Sequence, residues 1–126
     1  MNPTGLVPTL RDGELALWES NAIVRYLAAR HDAGGLWPED PLARARSDLW
    51  MDWQTTAFTP AMRDLFWQVI RTPPEKQDAA LIAASTRASE RMAGILDRHL
   101  AGQSYVAGER FTMLSLIHIS EPTRPY

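Results

Sequence analysis

The chain has 126 residues, with 13 basic and 15 acidic side chains and a formal net charge of −2. Because no block of positive charge stands out, the composition gives no indication of a nucleic-acid or anionic-membrane partner. The absence of cysteine excludes a disulfide framework, a thiolate metal site and a cysteine nucleophile on this chain. No apolar run approaches the roughly 18 residues that a membrane span needs, and the N-terminus does not look like a secretory signal. A soluble cytoplasmic protein is therefore expected.

Two short apolar runs near the N-terminus are predicted to form a β-hairpin. Residues 6–10 and 15–18 are the expected strands, and Asp12-Gly13 between them predicts a type I′ turn with positive φ at both central positions. Proline cannot donate to a strand ladder, so the first strand must lie at an edge or contain a break at Val7-Pro8. The same X-Pro bond is a candidate for a cis peptide.

A helix is predicted to follow the hairpin over residues 20–30, with Ser20 or Asn21 capping its first turn. Together these features suit an extended, peptide-like ligand. A break at Val7-Pro8 leaves backbone groups of the strand free, the helix N-terminus attracts a carboxylate, and Glu19 is placed to bind an ammonium group. The alternative is an ordinary hairpin and helix with a structural cis-proline.

The stretch NPTGLVPTLRDGELALWESNAIVRYLA, residues 2–28, resembles the second half of the thioredoxin-like domain of glutathione S-transferases. The matching positions are Asn2, Pro3, Gly5, Val7, Pro8, Leu10, Asp12, Gly13, Leu17, Glu19, Ser20, Ala22, Ile23, Tyr26, Leu27 and Ala28. The resemblance implies that the Val7 backbone bonds the cysteinyl part of glutathione beside a cis Pro8, while Glu19 and Ser20 hold the γ-glutamyl end. It also implies that the catalytic Tyr, Ser or Cys belongs to a preceding strand–helix–strand unit, so no catalytic residue is assigned on this chain.

A turn-rich segment, DAGGLWPED at residues 32–40, is predicted to separate this unit from a helical remainder. Leu36 and Trp37 are expected to fill the junction. Asp40-Pro41 predicts a helix start, with the aspartate as cap and the proline in the first turn. Pro60 is expected to kink or split that helix.

Apolar side chains at helical spacing predict the packing faces of the helical remainder. The first two series are Leu42, Ala45, Leu49, Trp53 and Ala57, then Met62, Leu65, Phe66, Val69 and Ile70. A third helix is predicted over residues 75–100, with Thr72 and Glu75 at capping-box spacing. Its expected buried face is Leu81, Ala84, Ala88, Met92, Ile95, Leu96 and His99.

Several side chains in the helices have two interpretations. Trp50, Trp53 and Trp67 are expected to pack between helices. By the resemblance, Trp53 and Phe66 are alternatively part of the pocket for an apolar substrate. Asp52 is interpreted as a solvated helix position, and the alternative is a contact with a glutathione across a dimer. The three histidines are too scattered in sequence to predict a metal site.

The predicted architecture is an α/β thioredoxin-like half-domain followed by an all-α helical domain, which the resemblance identifies as a truncated glutathione-transferase fold. The half-domain covers residues 1–35, the linker residues 36–41 and the incomplete helical domain residues 42–113. The tail LSLIHISEPTRPY, residues 114–126, matches nothing in the family, and its composition resembles translated sequencing-adapter read-through. The alternative is a genuine divergent tail.

The resemblance implies a fragment of a glutathione S-transferase. The intact parent would join the glutathione thiolate to small, electrophilic, apolar compounds and form a homodimer. Glutathione is the implied co-substrate, and no metal is implied. The alternatives are a non-catalytic interaction module of the same fold and a truncated chain without function. Retention of Val7, Glu19 and Ser20 favours the enzyme over the interaction module.

Overall fold

The computed structural model describes residues 2–114. In chain order, the elements are β1 (Thr9–Asp12), β2 (Leu15–Trp18), α1 (Ser20–His31), α2 (Pro41–Trp53), a first π-helical turn (Gln54–Phe58), α3 (Thr59–Phe66), a second π-helical turn (Trp67–Arg71), a 3₁₀ turn (Pro74–Lys76) and α4 (Ala79–Leu100). The predicted order of a hairpin, a helix and a helical remainder is confirmed. No helix within the described range is long and apolar enough to cross a bilayer.

The first strand starts later than the sequence predicts. β1 begins at Thr9, and residues 6–8 lie outside the ladder. The reason is that Pro8 has no N–H to donate, so regular pairing can begin only after it. The Val7-Pro8 peptide is cis, as predicted. The second strand has the predicted bounds, Leu15–Trp18.

The hairpin turn lies one residue later than predicted. Asp12 pairs with Leu15, so the two loop residues are Gly13 and Glu14. Gly13 has a φ of 58°, and Glu19 is the one non-glycine residue with positive φ in the described part of the chain. Positive φ at the first central position alone is the pattern of a type II′ turn, so the prediction of a type I′ turn at Asp12-Gly13 is wrong.

The main core lies where α1 and α2 meet the connector and the end of the described chain. We call Ala28, Met51, Met113 and Leu114, the buried apolar side chains of this cluster, the junction core. Leu36 and Trp37 pack against it, as predicted. Leu114 is fully buried, whereas the rest of the predicted tail, residues 115–126, lies outside the described residues.

The start of α2 follows the sequence signals closely. The Asp40 carboxylate accepts a hydrogen bond from the Ala43 N–H at 2.7 Å, and Pro41 occupies the first turn. Pro60 also interrupts the helix as predicted. α2 ends at Trp53, and the first π-helical turn leads into α3, which has Pro60 in its first turn. A wide turn accommodates the proline while the chain continues in a helical path.

The start of α4 also differs from the prediction. The helix begins at Ala79 instead of residue 75, and Asp78 is its cap, accepting from the N–H groups of Ala80 and Leu81. Thr72 and Glu75 do not form a capping box, since the Thr72 hydroxyl donates to the Trp67 carbonyl. The prolines at 73 and 74 and the short 3₁₀ turn that they open separate the two segments. The predicted end at Leu100 is confirmed.

The apolar periodicity only partly predicts the buried faces. Trp53, Ala57, Met62, Leu65, Ala88, Met92, Leu96 and His99 are half-buried, as expected. The residues that are exposed against expectation are Leu42, Ala45, Leu49, Phe66, Val69, Ile70, Leu81, Ala84 and Ile95. Trp67, with 60% of its surface exposed, does not pack between helices. Val69 and Ile70 lie in the second π-helical turn, which has more residues per turn than an α-helix and therefore shifts the phase of a stripe predicted at 3.6-residue spacing.

A serine supplies the most buried position of α4. The Ser85 hydroxyl donates to the Ala61 carbonyl at 2.6 Å and accepts from the Leu65 N–H at 3.0 Å. These two backbone groups are four residues apart on α3, so the hydroxyl bridges one rung of that helix. A search for apolar periodicity misses this contact because it treats serine as a surface residue.

Candidate functional site

The hairpin brings the two halves of the predicted site to one end of the molecule. Thr9 pairs with Trp18 at the end of the ladder opposite the turn. Val7-Pro8 directly precedes β1 and Glu19-Ser20 directly follows β2, so the two segments flank this same end of the hairpin. The ladder does not extend to them, because the cis Pro8 and the positive φ of Glu19 interrupt regular pairing.

Val7 presents its backbone to solvent. The residue is 94% exposed, and no hydrogen bond to its N–H or C=O is found within residues 2–114. Unpaired backbone groups next to a strand end are able to accept a peptide ligand by strand addition. An open cleft beside it is lined by the loop and one face of the hairpin, and Glu19 and Ser20 are not part of that cleft.

The Asn2 side chain organises the loop that carries Val7. Its amide nitrogen donates to the Leu6 carbonyl at 2.6 Å and to the Thr9 hydroxyl at 3.0 Å. Its amide oxygen accepts from the N–H and the hydroxyl of Thr4. Asn2 matches the family pattern, but nothing in the sequence assigns it this role, because the contacts depend on how the loop folds back to β1.

Glu19 has an unusual backbone conformation. Its φ is 70° and its ψ is 117°, and it occupies the cap position of α1. A non-glycine residue with positive φ costs of the order of 1 to 3 kcal/mol, and such residues concentrate at binding and catalytic sites. Nothing in the sequence indicates this conformation, since glutamate has no preference for positive φ.

The first turn of α1 has no side-chain cap, so the predicted cap at Ser20 or Asn21 is wrong. The first backbone bond runs from the Ile23 N–H to the Glu19 carbonyl, which leaves the N–H groups of residues 20–22 without an intrahelical partner. Ser20 is exposed, and its hydroxyl makes no hydrogen bond within the described chain. These groups are available to a carboxylate.

The Asn21 amide faces away from the helix end that it was predicted to cap. It donates to the Met51 carbonyl at 2.9 Å and to the Thr55 hydroxyl at 2.8 Å. The first turn of α1 is thereby joined to the end of α2 and to the first π-helical turn. This contact explains why the side chain is not free to cap its own helix.

Arg25 makes a second connection between α1 and α2. Its guanidinium pairs with Asp48 and with Asp52, each at 2.7 Å. Partial burial alone would lower the pKa of Arg25, but the hydrogen bonds to Asp52 and Asp48 outweigh it, and the pKa is raised above its ordinary value. The side chain of Asp52 is 68% exposed, as a solvated position should be, yet it is also part of this ion pair.

One connected group of aromatic side chains in the helical part consists of Trp50, Trp53, Phe58 and His99. The Trp50 ring lies 5.1 Å from Trp53 and 4.4 Å from His99, and Trp53 lies 5.4 Å from Phe58. His99 packs at the end of α4, as predicted, with Nε2 2.8 Å from the Val106 carbonyl. The group packs between α2, the first π-helical turn and the end of α4.

Phe66 lies apart from that group. It is 47% exposed, and the Arg71 guanidinium lies 5.8 Å from its ring centre. The Phe66 ring therefore lies outside the group formed by Trp50, Trp53, Phe58 and His99, and a pocket shared by Trp53 and Phe66 stays a prediction. No cluster of three histidine, aspartate or glutamate side chains suited to a metal ion occurs among residues 2–114.

Comparisons with known proteins agree with this arrangement. The family model for the glutathione S-transferase N-terminal domain matches residues 1–29. Glutathione S-transferase GstB of Escherichia coli is 46% identical over 113 residues, which are 88% of this chain and 54% of that protein. Glutathione S-transferase F14 of Arabidopsis thaliana is 36% identical, with 95% of this chain and 49% of that protein covered.

The fold is also similar to that of solved glutathione S-transferase structures. The theta class glutathione S-transferase of Xanthomonas axonopodis pv. citri is 47% identical in its apo form, with a TM-score of 0.84 over 96% of this chain and 68% of that one. The same enzyme with glutathione bound has a TM-score of 0.87 over 99% of this chain and 64% of that one. This chain spans about half the length of the curated relatives that it matches.

The order of elements corresponds to the order of the two domains in these relatives. The two-stranded hairpin and α1 correspond to part of a thioredoxin-like N-terminal domain, and the helices from α2 onward correspond to the helical domain that follows it. Three findings agree with one another. They are the close sequence identity, the coverage of more than two thirds of a solved relative and the matching family model. The chain belongs to the glutathione S-transferase family.

Proposed function

We propose that Val7, Pro8, Glu19 and Ser20 form a glutathione-binding site. The observation that supports the proposal is that the unpaired backbone at Val7 and the uncapped N-terminus of α1 flank the same end of the hairpin. Glutathione is an extended tripeptide with an α-amino and an α-carboxyl group at its γ-glutamyl end. A close relative has been solved with glutathione bound, which supports the same ligand here.

Each residue has a distinct role in this proposal. The N–H and C=O of Val7 bond the cysteinyl backbone, as in strand addition, and Pro8 shapes the chain beside it. The carboxylate of the γ-glutamyl end lies at the Ser20 hydroxyl and the free N–H groups of the first turn of α1. Glu19 holds the ammonium group of the same end by a charge-assisted hydrogen bond.

For the whole protein we propose conjugation of the glutathione thiolate to small, electrophilic, apolar compounds. Binding both substrates side by side and lowering the thiol pKa are the two contributions expected of such an enzyme. A cytoplasmic homodimer, with residues 1–35 and 42–113 in separate domains joined by the linker 36–41, completes the proposal. The residue that activates the thiol is not assigned to any position of this chain.

The test is calorimetric titration of the chain with glutathione and with cysteinylglycine, which lacks the γ-glutamyl group. Glu19→Gln should weaken glutathione binding by about tenfold, because a charged hydrogen bond is replaced by a neutral one. Binding of cysteinylglycine should be unchanged, since that ligand carries no γ-glutamyl ammonium to reach Glu19. Glu90→Gln, at an exposed position of α4, is the matched control and should bind both ligands as the unaltered chain does.

Two results would count against the proposal. If Glu19→Gln weakened the binding of both ligands equally, the specific contact with the ammonium group would be contradicted. If its affinity for glutathione were undiminished, Glu19 would not belong to the site. Conjugation is proposed for the whole protein and is tested separately on that protein, by release of chloride from a chlorodinitrobenzene in the presence of glutathione. Binding without turnover by the whole protein would favour a non-catalytic module of the same fold.

A further inference from the structure

The Asn21 side chain spans two helices at a point where helical geometry changes. α2 ends at Trp53, and the following turn is π-helical. In a π-helical turn each N–H bonds the fifth preceding carbonyl instead of the fourth, so the carbonyls at the entrance to the turn lose their regular pattern of donors. The Met51 carbonyl lies at that entrance and accepts from the Asn21 amide and from the Thr55 hydroxyl.

The orientation of the Asn21 amide is fixed by these acceptors. Its nitrogen has two oxygen partners, the Met51 carbonyl and the Thr55 hydroxyl. A reversed amide would place oxygen against the Met51 carbonyl oxygen, where the two would repel. The amide oxygen is buried and has no hydrogen-bond partner within the described residues. A buried acceptor without a donor costs about 1 to 3 kcal/mol, so packing stability alone does not account for an asparagine here.

The position of Asn21 in α1 gives the contact a consequence for the site. Asn21 directly follows Glu19 and Ser20. The backbone of Glu19 is held in a conformation that glutamate does not favour. On the other side, the contact ends at the turn that carries Phe58 and follows Trp53. The Asn21 amide therefore connects the uncapped end of α1 with the segment that carries the aromatic group, in addition to the ion pairs that Arg25 makes further along α1.

We propose that Asn21 is a positioning residue, which holds the first turn of α1 against the first π-helical turn so that the two move together when glutathione binds. The inference depends on the proposed glutathione site at Glu19 and Ser20. Because coupling is reciprocal, a ligand that orders the first turn of α1 also orders residues 54–58, and weakening the connection lowers the affinity for the ligand.

The experiment uses two substitutions that remove the connection without adding charge. Asn21→Leu keeps the approximate volume and removes the amide, and Thr55→Val keeps the β-branched shape and removes the hydroxyl. Titration should show glutathione affinity reduced by about tenfold in Asn21→Leu, which loses both hydrogen bonds of the amide nitrogen, and by about threefold in Thr55→Val, which removes one of those two. Thr55→Ser keeps the hydroxyl and should restore the affinity.

Ser85→Ala is the matched control for a general loss of stability. Its hydroxyl also connects two helical segments, α3 and α4, but neither segment carries a residue of the proposed site. Urea unfolding should show that Ser85→Ala and Asn21→Leu are both destabilised, whereas only Asn21→Leu loses glutathione affinity. Equal loss of affinity in both variants would reduce Asn21 to a structural residue and overturn the proposal.

Amide hydrogen exchange gives the second readout. In the unaltered chain, saturating glutathione should slow exchange in residues 54–58, which belong to a different helix from Glu19 and Ser20. The protection should disappear in Asn21→Leu at a glutathione concentration that still saturates the variant. Identical protection in both proteins would overturn the coupling while leaving the glutathione site intact, whereas no glutathione binding by the unaltered chain would overturn both.

Discussion

The hairpin and the junction core are held together in opposite ways. No residue of the segment 2–18 is buried, and its loop is held by the hydrogen bonds of the Asn2 side chain. The junction core buries four apolar side chains completely or nearly so, with Met51, Met113 and Leu114 at 0% exposure. Polar contacts therefore shape the region that presents the proposed ligand site, and apolar burial stabilises the region behind it.

This difference separates stability from binding. Burial of apolar area is the main favourable term in folding, so substitutions in the junction core should act mainly on the free energy of unfolding. Exposed polar groups contribute little to that free energy, and substitutions among them should act mainly on ligand affinity. α1 belongs to both regions, because Ala28 lies in the junction core and Ser20 at the proposed site.

The largest expected effect is in the junction core. Met51→Ala removes a fully buried side chain and should lower the free energy of unfolding by about 2 to 5 kcal/mol. Leu49→Ala on the same helix is the matched control, since Leu49 is 61% exposed and its truncation should cost less than about 1 kcal/mol. Urea unfolding followed by tryptophan fluorescence measures both. Similar costs for the two variants would contradict the assignment of the core.

A smaller effect is expected at the hairpin turn. Gly13 has a φ of 58° and no atom near the place of an added Cβ, so Gly13→Ala meets a backbone cost without a clash. That cost should be about 1 kcal/mol in the free energy of unfolding. Glutathione affinity should change by less than about twofold, because the turn lies at the far end of the hairpin from Val7. A large loss of affinity would show that the turn and the site are not independent.

The smallest effect is expected at the ion pairs of Arg25. Asp48→Asn and Asp52→Asn should each cost about 0.2 to 1 kcal/mol of unfolding free energy. Asp48 should cost more, since its side chain is 37% exposed against 68% for Asp52. Both costs should shrink in high salt, which screens exposed charges. Equal costs that do not respond to salt would mean that the pairs contribute no electrostatic stability.

The sign of the pH dependence follows from the raised pKa of Arg25. A base with a raised folded-state pKa adds stability that is complete below its unfolded pKa and is lost as the pH rises through the folded value. The arginine contribution should therefore be constant between about pH 6 and pH 9. Unfolding of the unaltered chain and of Arg25→Gln across that range should give parallel curves.

Local signals in the sequence predicted the parts of the fold that depend on local chemistry. The cis peptide before Pro8, the Asp40 cap and the end of α4 at Leu100 were predicted because each depends on a few neighbouring residues. The late start of β1 follows from the same proline. Because Pro8 has no N–H to donate, regular pairing begins after residue 8.

The features that the sequence missed depend on contacts between distant segments. The buried Ser85 hydroxyl bonds α3, and the Asn21 amide bonds a residue 30 positions away. Neither contact can be predicted from the spacing of apolar residues, because a polar side chain makes it. That spacing does not predict the two π-helical turns either, because they depart from 3.6 residues per turn. Val69 and Ile70 were therefore assigned to a packing face, whereas both are exposed. At the proposed site, the missing element was the positive φ of Glu19.

The most direct test of the account measures the free energy of unfolding and the glutathione affinity of Glu19→Gly together. Glycine adopts a φ of 70° without the steric cost that glutamate has, so the free energy of unfolding should be unchanged or higher. The ammonium partner is lost at the same time, and glutathione affinity should fall by about tenfold. A more stable chain that binds glutathione less tightly is the result that we predict. Undiminished affinity would contradict the proposed role of the Glu19 carboxylate in holding the ammonium group of glutathione.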